Sequence, residues 1–220
     1  MDNVYVKKAI TVAFDVDAMY CFTPRCPDEL AVKGGEDIVD ELNDGAKKAS
    51  KRVVSKDAHP VNAYWKTEEL KELAQPVEGC FADLANIDLK WFMHGVPGTF
   101  GFELIAGLPK PEEYDFLIYK GVERDMHPYG ACYHDLGDKI STGVIEWMQV
   151  QGMDTVIVGG LATDFCVKLT VLQLLRAGFK VILNLGACRG IDPDGTKKAI
   201  DEMQDAGAII VQSAAQIIAQ

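Results

Sequence analysis

Six short runs of apolar, β-branched residues recur along the chain: AITVAFDV, KRVVSKD, DFLIYKG, DTVIVGG, KVILNLG and AIIVQS. Between most of them lie stretches whose apolar residues return with a helical period: EDIVDELNDGAKKAS, STGVIEWMQVQG, TDFCVKLTVLQLLRAG and GTKKAIDEMQDAG. Strands of continuous apolar character alternating with amphipathic helices predict an α/β fold, a three-layer α/β/α sandwich around a mostly parallel sheet. Gly152, Gly178 and Gly207 each fall where a helix should end and the next strand begin, the place of a C′ glycine. At 220 residues, 48% of them hydrophobic, the chain is expected to bury one core as a single domain over residues 1–220. Residues 60–113 are the exception. They are too long for a simple crossover and are expected to form a helix around TEELKELA, then loop over one end of the sheet as part of a site wall.

A formal charge of −11 argues against nucleic acid or an anionic membrane as the main partner, but not against a small neutral substrate. No signal peptide is visible at the start, and no apolar run approaches a spanning helix. The six cysteines form no CxxC pair and no regular spacing, which points to free thiols and a reducing cytoplasm rather than a disulfide framework.

Ligands of parallel α/β sheets bind beyond the carboxyl ends of the strands. The first run ends at Asp15, the second at Asp57 and His59, the third at Lys120, and the fourth leads to Cys166. An acid, a base and a thiol at successive strand ends are therefore expected to converge on one edge. Thr163 suits an N-cap and would place Cys166 at N3 of the following helix, whose positive end favours thiolate. Gly159 and Gly160 would let the backbone turn sharply there. In this reading Asp15 is a general base, Lys120 a cation that keeps Asp15 ionised, and Asp17 a weaker candidate for the acid. The alternative for Cys166 is a small buried core residue. Asp57 and His59, two apart on one face of an extended strand end, suit a divalent ion, with His94 as a third ligand. His127 and His134, in the polar loop after Lys120, read as loop residues.

With these positions in hand, the chain resembles the nicotinamidase/pyrazinamidase branch of the isochorismatase-like cysteine hydrolases. The resemblance is carried in order by VAFDVDAMYCF, SKDAH, WFMHGVPGT, YKG, STGVIEWMQVQGMDTVIVGGLATDFCVKLT and GACRGID. It implies an Asp15–Lys120–Cys166 triad that hydrolyses nicotinamide to nicotinate and ammonia through a thioester, a step of NAD salvage, with pyrazinamide also accepted. It further implies an oxyanion hole from the N–H groups of Ala162 and Cys166 and a cis bond between Leu161 and Ala162. One divalent metal, Zn²⁺ or else Fe²⁺ or Mn²⁺, would rest on Asp57, His59 and His94. Tyr20, Trp91, Tyr129 and Phe165 would wall the substrate ring. A cytoplasmic homo-oligomer is implied as well.

The chain departs from the family pattern at Asp17-Ala18-Met19-Tyr20, at the glycine after His94, and at Trp65, which stands where some members carry a further metal histidine. Glu68 is an alternative ligand there. These departures leave open a relative acting on another small amide or N-carbamoyl compound, and a non-enzymatic thiol or metal-binding module.

Overall fold

A computed structural model describes residues 3–79 and 84–220. In chain order its regular elements are β1 (Val4–Val6), β2 (Thr11–Val16), α1 (Val39–Ala46), β3 (Lys51–Asp57), β4 (Phe116–Lys120) and α2 (Val144–Val150). They continue with β5 (Thr155–Leu161), α3 (Lys168–Arg176), β6 (Lys180–Arg189), α4 (Pro193–Asp205), β7 (Ile209–Val211) and β8 (Ile217–Ala219). All six apolar runs become strands of one parallel sheet, ordered β4-β3-β2-β5-β6-β7. The interior of β2 and β5 is buried at every position, as expected of strands covered on both faces. β1 and β8, too short to stand out in the sequence, pair in parallel as a separate ribbon.

The strand order fixes where a site can form. From β2 the chain adds β3 and then β4 on one side, and β5, β6 and β7 extend the other. The order reverses between β2 and β5, so their carboxyl ends bound the crevice in which doubly wound sheets hold ligands. Asp15 pairs in register with Gly159, and Val16 with Gly160.

Two local expectations fail. TEELKELA gives only a single 3₁₀ turn, Leu70–Glu72, with no buried residue, and Leu70 is 75% exposed. A short helix depends on burying its apolar face, and here only Leu73 packs against the core while Leu70 stays in solvent. Thr67 instead donates its hydroxyl to the Glu72 carboxylate, and the chain passes through a left-handed residue at Ala74. Nor do Gly159 and Gly160 form a turn: both lie inside β5. A Cβ at Gly160, where φ is 140°, would lie 1.9 Å from the Val16 carbonyl oxygen. Glycine here permits the close approach of β2, at the irregularity where β5 changes register on β6.

Candidate active site

Lys120, at the end of β4, is fully buried, and its ammonium gathers the site. Its Nζ pairs with Asp57 and lies 3.1 Å from Asp17 Oδ2, 3.3 Å from the Pro128 carbonyl and 3.7 Å from Cys166 Sγ. One donor atom from each of Asp17, Asp57 and Cys166 falls within 4.8 Å of the others.

The acid beside the thiol is thus Asp17, not Asp15. β2 stops at Val16, and Asp17 adopts φ 46°, so the strand's alternation does not extend to it. Ser55 holds the turned residue by donating to Asp17 Oδ1 at 2.7 Å. Asp15 stays within the strand and faces α1, beside Glu41, Leu42 and Gly45. Its carboxylate accepts from Arg52 Nε at 2.9 Å and from the Tyr114 hydroxyl at 2.8 Å.

Electrostatics separate the four groups. Burial raises Asp17 to about 6 against the pull of Lys120, with Asp57 adding to the rise. Asp57 is also buried, yet Lys120 and His59 hold it well below the usual carboxylate range. Lys120 is held well above its ordinary value by Asp17 and Asp57 in spite of its burial. The Cys166 thiol is pushed well up, mainly by burial, in spite of Lys120. Burial thus opposes the pull toward thiolate expected from the helix end. Thr163 is not the N-cap either. Thr163–Val167 form a π-helical turn ahead of α3, and the Ala162 carbonyl accepts from the N–H groups of both Phe165 and Val167. The Leu161–Ala162 bond is cis.

Beside the thiol lies a cluster of histidines. Asp57 Oδ1 is 3.5 Å from His59 Nε2, and Oδ2 is 3.5 Å from His94 Nε2. The Nδ1 atoms of His59 and His94 meet the carbonyls of Gly121 at 3.0 Å and Phe92 at 2.7 Å. A carbonyl only accepts, so each Nδ1 carries a proton and each Nε2 is left facing the Asp57 carboxylate. Burial lowers the His59 pKa. Two imidazoles oriented through Nδ1, with both Nε2 atoms converging on one carboxylate, fit a divalent ion.

The cavity over Cys166 is walled by Phe22, Leu30, Trp91, Tyr129, Phe165 and Ile191, with Asp57, His94 and His127 at its polar end. Trp91 Nε1 donates to the Tyr129 hydroxyl at 3.1 Å, and that hydroxyl donates to Asp88 at 2.7 Å. Phe165 stands edge-on to Trp91 with ring centroids 5.0 Å apart. Tyr20 is not part of this wall. It stacks on Phe100 at 4.3 Å and accepts from the Ala106 N–H, and the wall position belongs to Phe22. The errors at Asp15 and Tyr20 share one cause, a two-residue slip in reading DVDAMYCF. Glu68 is exposed and lines another groove with Lys66, Thr67 and Phe92. His127, read from sequence as a loop residue, is buried against His59 and His94. Its spacing from Lys120 gave no signal, because an irregular loop has no period to count.

The Isochorismatase domain profile matches residues 91–215, more than half of the chain. The chain belongs to the isochorismatase family. A nicotinamidase of Acinetobacter baylyi is 30% identical over 200 residues, covering 90% of both chains. The crystal structure of PnC1 from L. infantum in complex with nicotinate superimposes with a TM-score of 0.80 at 25% identity, covering 99% of this chain and 100% of that one. A pyrazinamidase of Pyrococcus horikoshii in complex with zinc gives a TM-score of 0.71 at 27% identity, covering 92% and 99%. The matched isochorismatase segment carries Trp91, His94, Lys120 and Cys166, whereas Asp17, Asp57 and His59 precede it.

Proposed function

We propose that the protein is a metal-containing amidohydrolase that converts nicotinamide to nicotinate and ammonia through a thioester on Cys166, a step of NAD salvage, and that it also accepts pyrazinamide. The observation that carries this reading is the buried contact of Cys166, Lys120 and Asp17 at one end of an aromatic-walled cavity, with a carboxylate–histidine cluster at the same end. The named activities of the relatives agree with it.

Asp17 takes the Cys166 proton as the sulfur attacks the carboxamide carbon, and Lys120 compensates the charge that develops beside it. The N–H groups of Ala162 and Cys166 receive the oxyanion. Asp17 then passes the proton to the departing nitrogen, and ammonia leaves a thioester. Water, giving a proton to Asp17, attacks the thioester, and the proton returns to sulfur as the acid departs. Asp57, His59 and His94 would hold the divalent ion, Zn²⁺ in preference to Fe²⁺ or Mn²⁺. When bound, the ion supplies an electrophilic anchor for a ring nitrogen. Trp91, Tyr129, Phe165 and Phe22 wall the ring, and residues 60–113 contribute part of that wall within one catalytic domain.

The five described cysteines are free and no described helix can span a membrane, which supports a cytoplasmic setting, and assembly into a homo-oligomer is part of the same reading. Ammonia release is the test, measured on a panel of nicotinamide, pyrazinamide and non-aromatic amides with and without chelator. Robust turnover by Cys166→Ala would refute the covalent route, and turnover confined to non-aromatic amides would refute the substrate assignment.

A further inference from the structure

We infer that His127 is a ligand of the same metal ion as Asp57, His59 and His94, so that the loop following Lys120 completes the centre. The inference rests on the metal in the proposed function and extends its ligand set. His127 is 4% exposed, and neither of its ring nitrogens has a hydrogen-bond partner among the described residues. A structural histidine in a core satisfies at least one nitrogen, because a buried polar atom left unpaired gives up its water with nothing in return. Ligand nitrogens of His127, His59 and His94 all lie within 4.8 Å of one another. His59 Nε2, the atom that faces Asp57, likewise has no hydrogen-bond partner among the described residues.

The backbone fixes this placement. His127 donates its N–H to the Asn86 carbonyl at 2.8 Å, and its ring stacks on His59 with centroids 5.0 Å apart and planes 17° from parallel. Trp65 packs beside both rings, its centroid 4.4 Å from His127 and 4.6 Å from His59, and its indole offers no ligand from that position. Two ligands each about 2.1 Å from a tetrahedral ion lie about 3.4 Å apart. The two Asp57–histidine separations of 3.5 Å meet that spacing, and a nitrogen of His127 lies within 4.8 Å of the nitrogens of both histidines. Three imidazoles and one carboxylate form a donor set suited to zinc or to divalent iron or manganese.

The test compares wild-type protein with His127→Ala, His127→Cys and His134→Ala, each stripped and titrated with Zn²⁺ against a competing chelator. Zinc affinity should fall at least tenfold in His127→Ala and stay at the wild-type value in His134→Ala. Co²⁺-loaded His127→Cys should gain a sulfur-to-cobalt charge-transfer band absent from the wild type, a positive signal that loss of fold cannot mimic. Wild-type affinity in His127→Ala, or no new band in His127→Cys, overturns the inference and leaves the proposed hydrolysis standing. A wild-type protein that takes up no ion overturns both this inference and the metal assignment.

Discussion

At the scale of single residues, the roles of Asp15 and Asp17 separate cleanly. Asp17→Asn removes the proposed proton carrier and should cut kcat by about 10²–10⁴-fold with the fold intact. Asp15→Asn breaks a buried pair with Arg52, so it should lower stability by about 3–5 kcal/mol while folded enzyme keeps kcat near the wild-type value. Denaturant titration and initial rates on the same samples check both, and equal kinetic damage would sink the distinction. The pH profile gives a second check. Asp17 serves as a base only when ionised, so kcat/KM should rise with pH through about 6. The same shift runs the other way for stability. The native state holds this proton more tightly than the ordinary carboxylate value of 3.8, so this contribution is present below that pH and lost as pH rises through about 6. A profile flat down to pH 4.5 would remove Asp17 from the proposed role.

At the scale of elements, glycines decide how closely strands and loops approach. Gly121, just past β4, has φ +68°, and a Cβ there would lie 2.3 Å from His59 Cε1. Its carbonyl also orients the His59 ring. Gly121→Ala should therefore displace His59 and lower zinc affinity at least tenfold, with a matching loss of activity, checked by metal analysis after dialysis. Gly160→Ala meets the Val16 backbone instead of a flexible side chain. It should cost about 2 kcal/mol or more and loosen the junction of β2 and β5, visible as a lower denaturation midpoint.

At the scale of the molecule, the six strands and their parallel arrangement were legible because apolar runs and helical periods alternate along the sequence, and the strand ends already marked Lys120, Asp57 and Cys166. Residues beyond a strand's last ladder bond were not legible. The alternation that assigns faces ends at Val16, so Asp17 turned where counting could not follow, and the reading at Tyr20 slipped with it. His127 lies on a loop whose course is set by contacts to Asn86 and His59, both distant in sequence. The β1–β8 ribbon was equally hidden, and it packs a small core of Val6, Ile157, Ile182, Val211 and Ile217 that shares no residue with the catalytic cavity. Ile217→Ala should accordingly cost about 2–4 kcal/mol in urea unfolding with kcat unchanged, and altered kcat would reveal coupling between the two regions.

The burial of the Cys166 sulfur has a consequence for selectivity. A nucleophile at the floor of an aromatic-walled cavity meets only reagents small and flat enough to pass between Trp91, Tyr129 and Phe165, so bulky alkylating agents should react with it slowly.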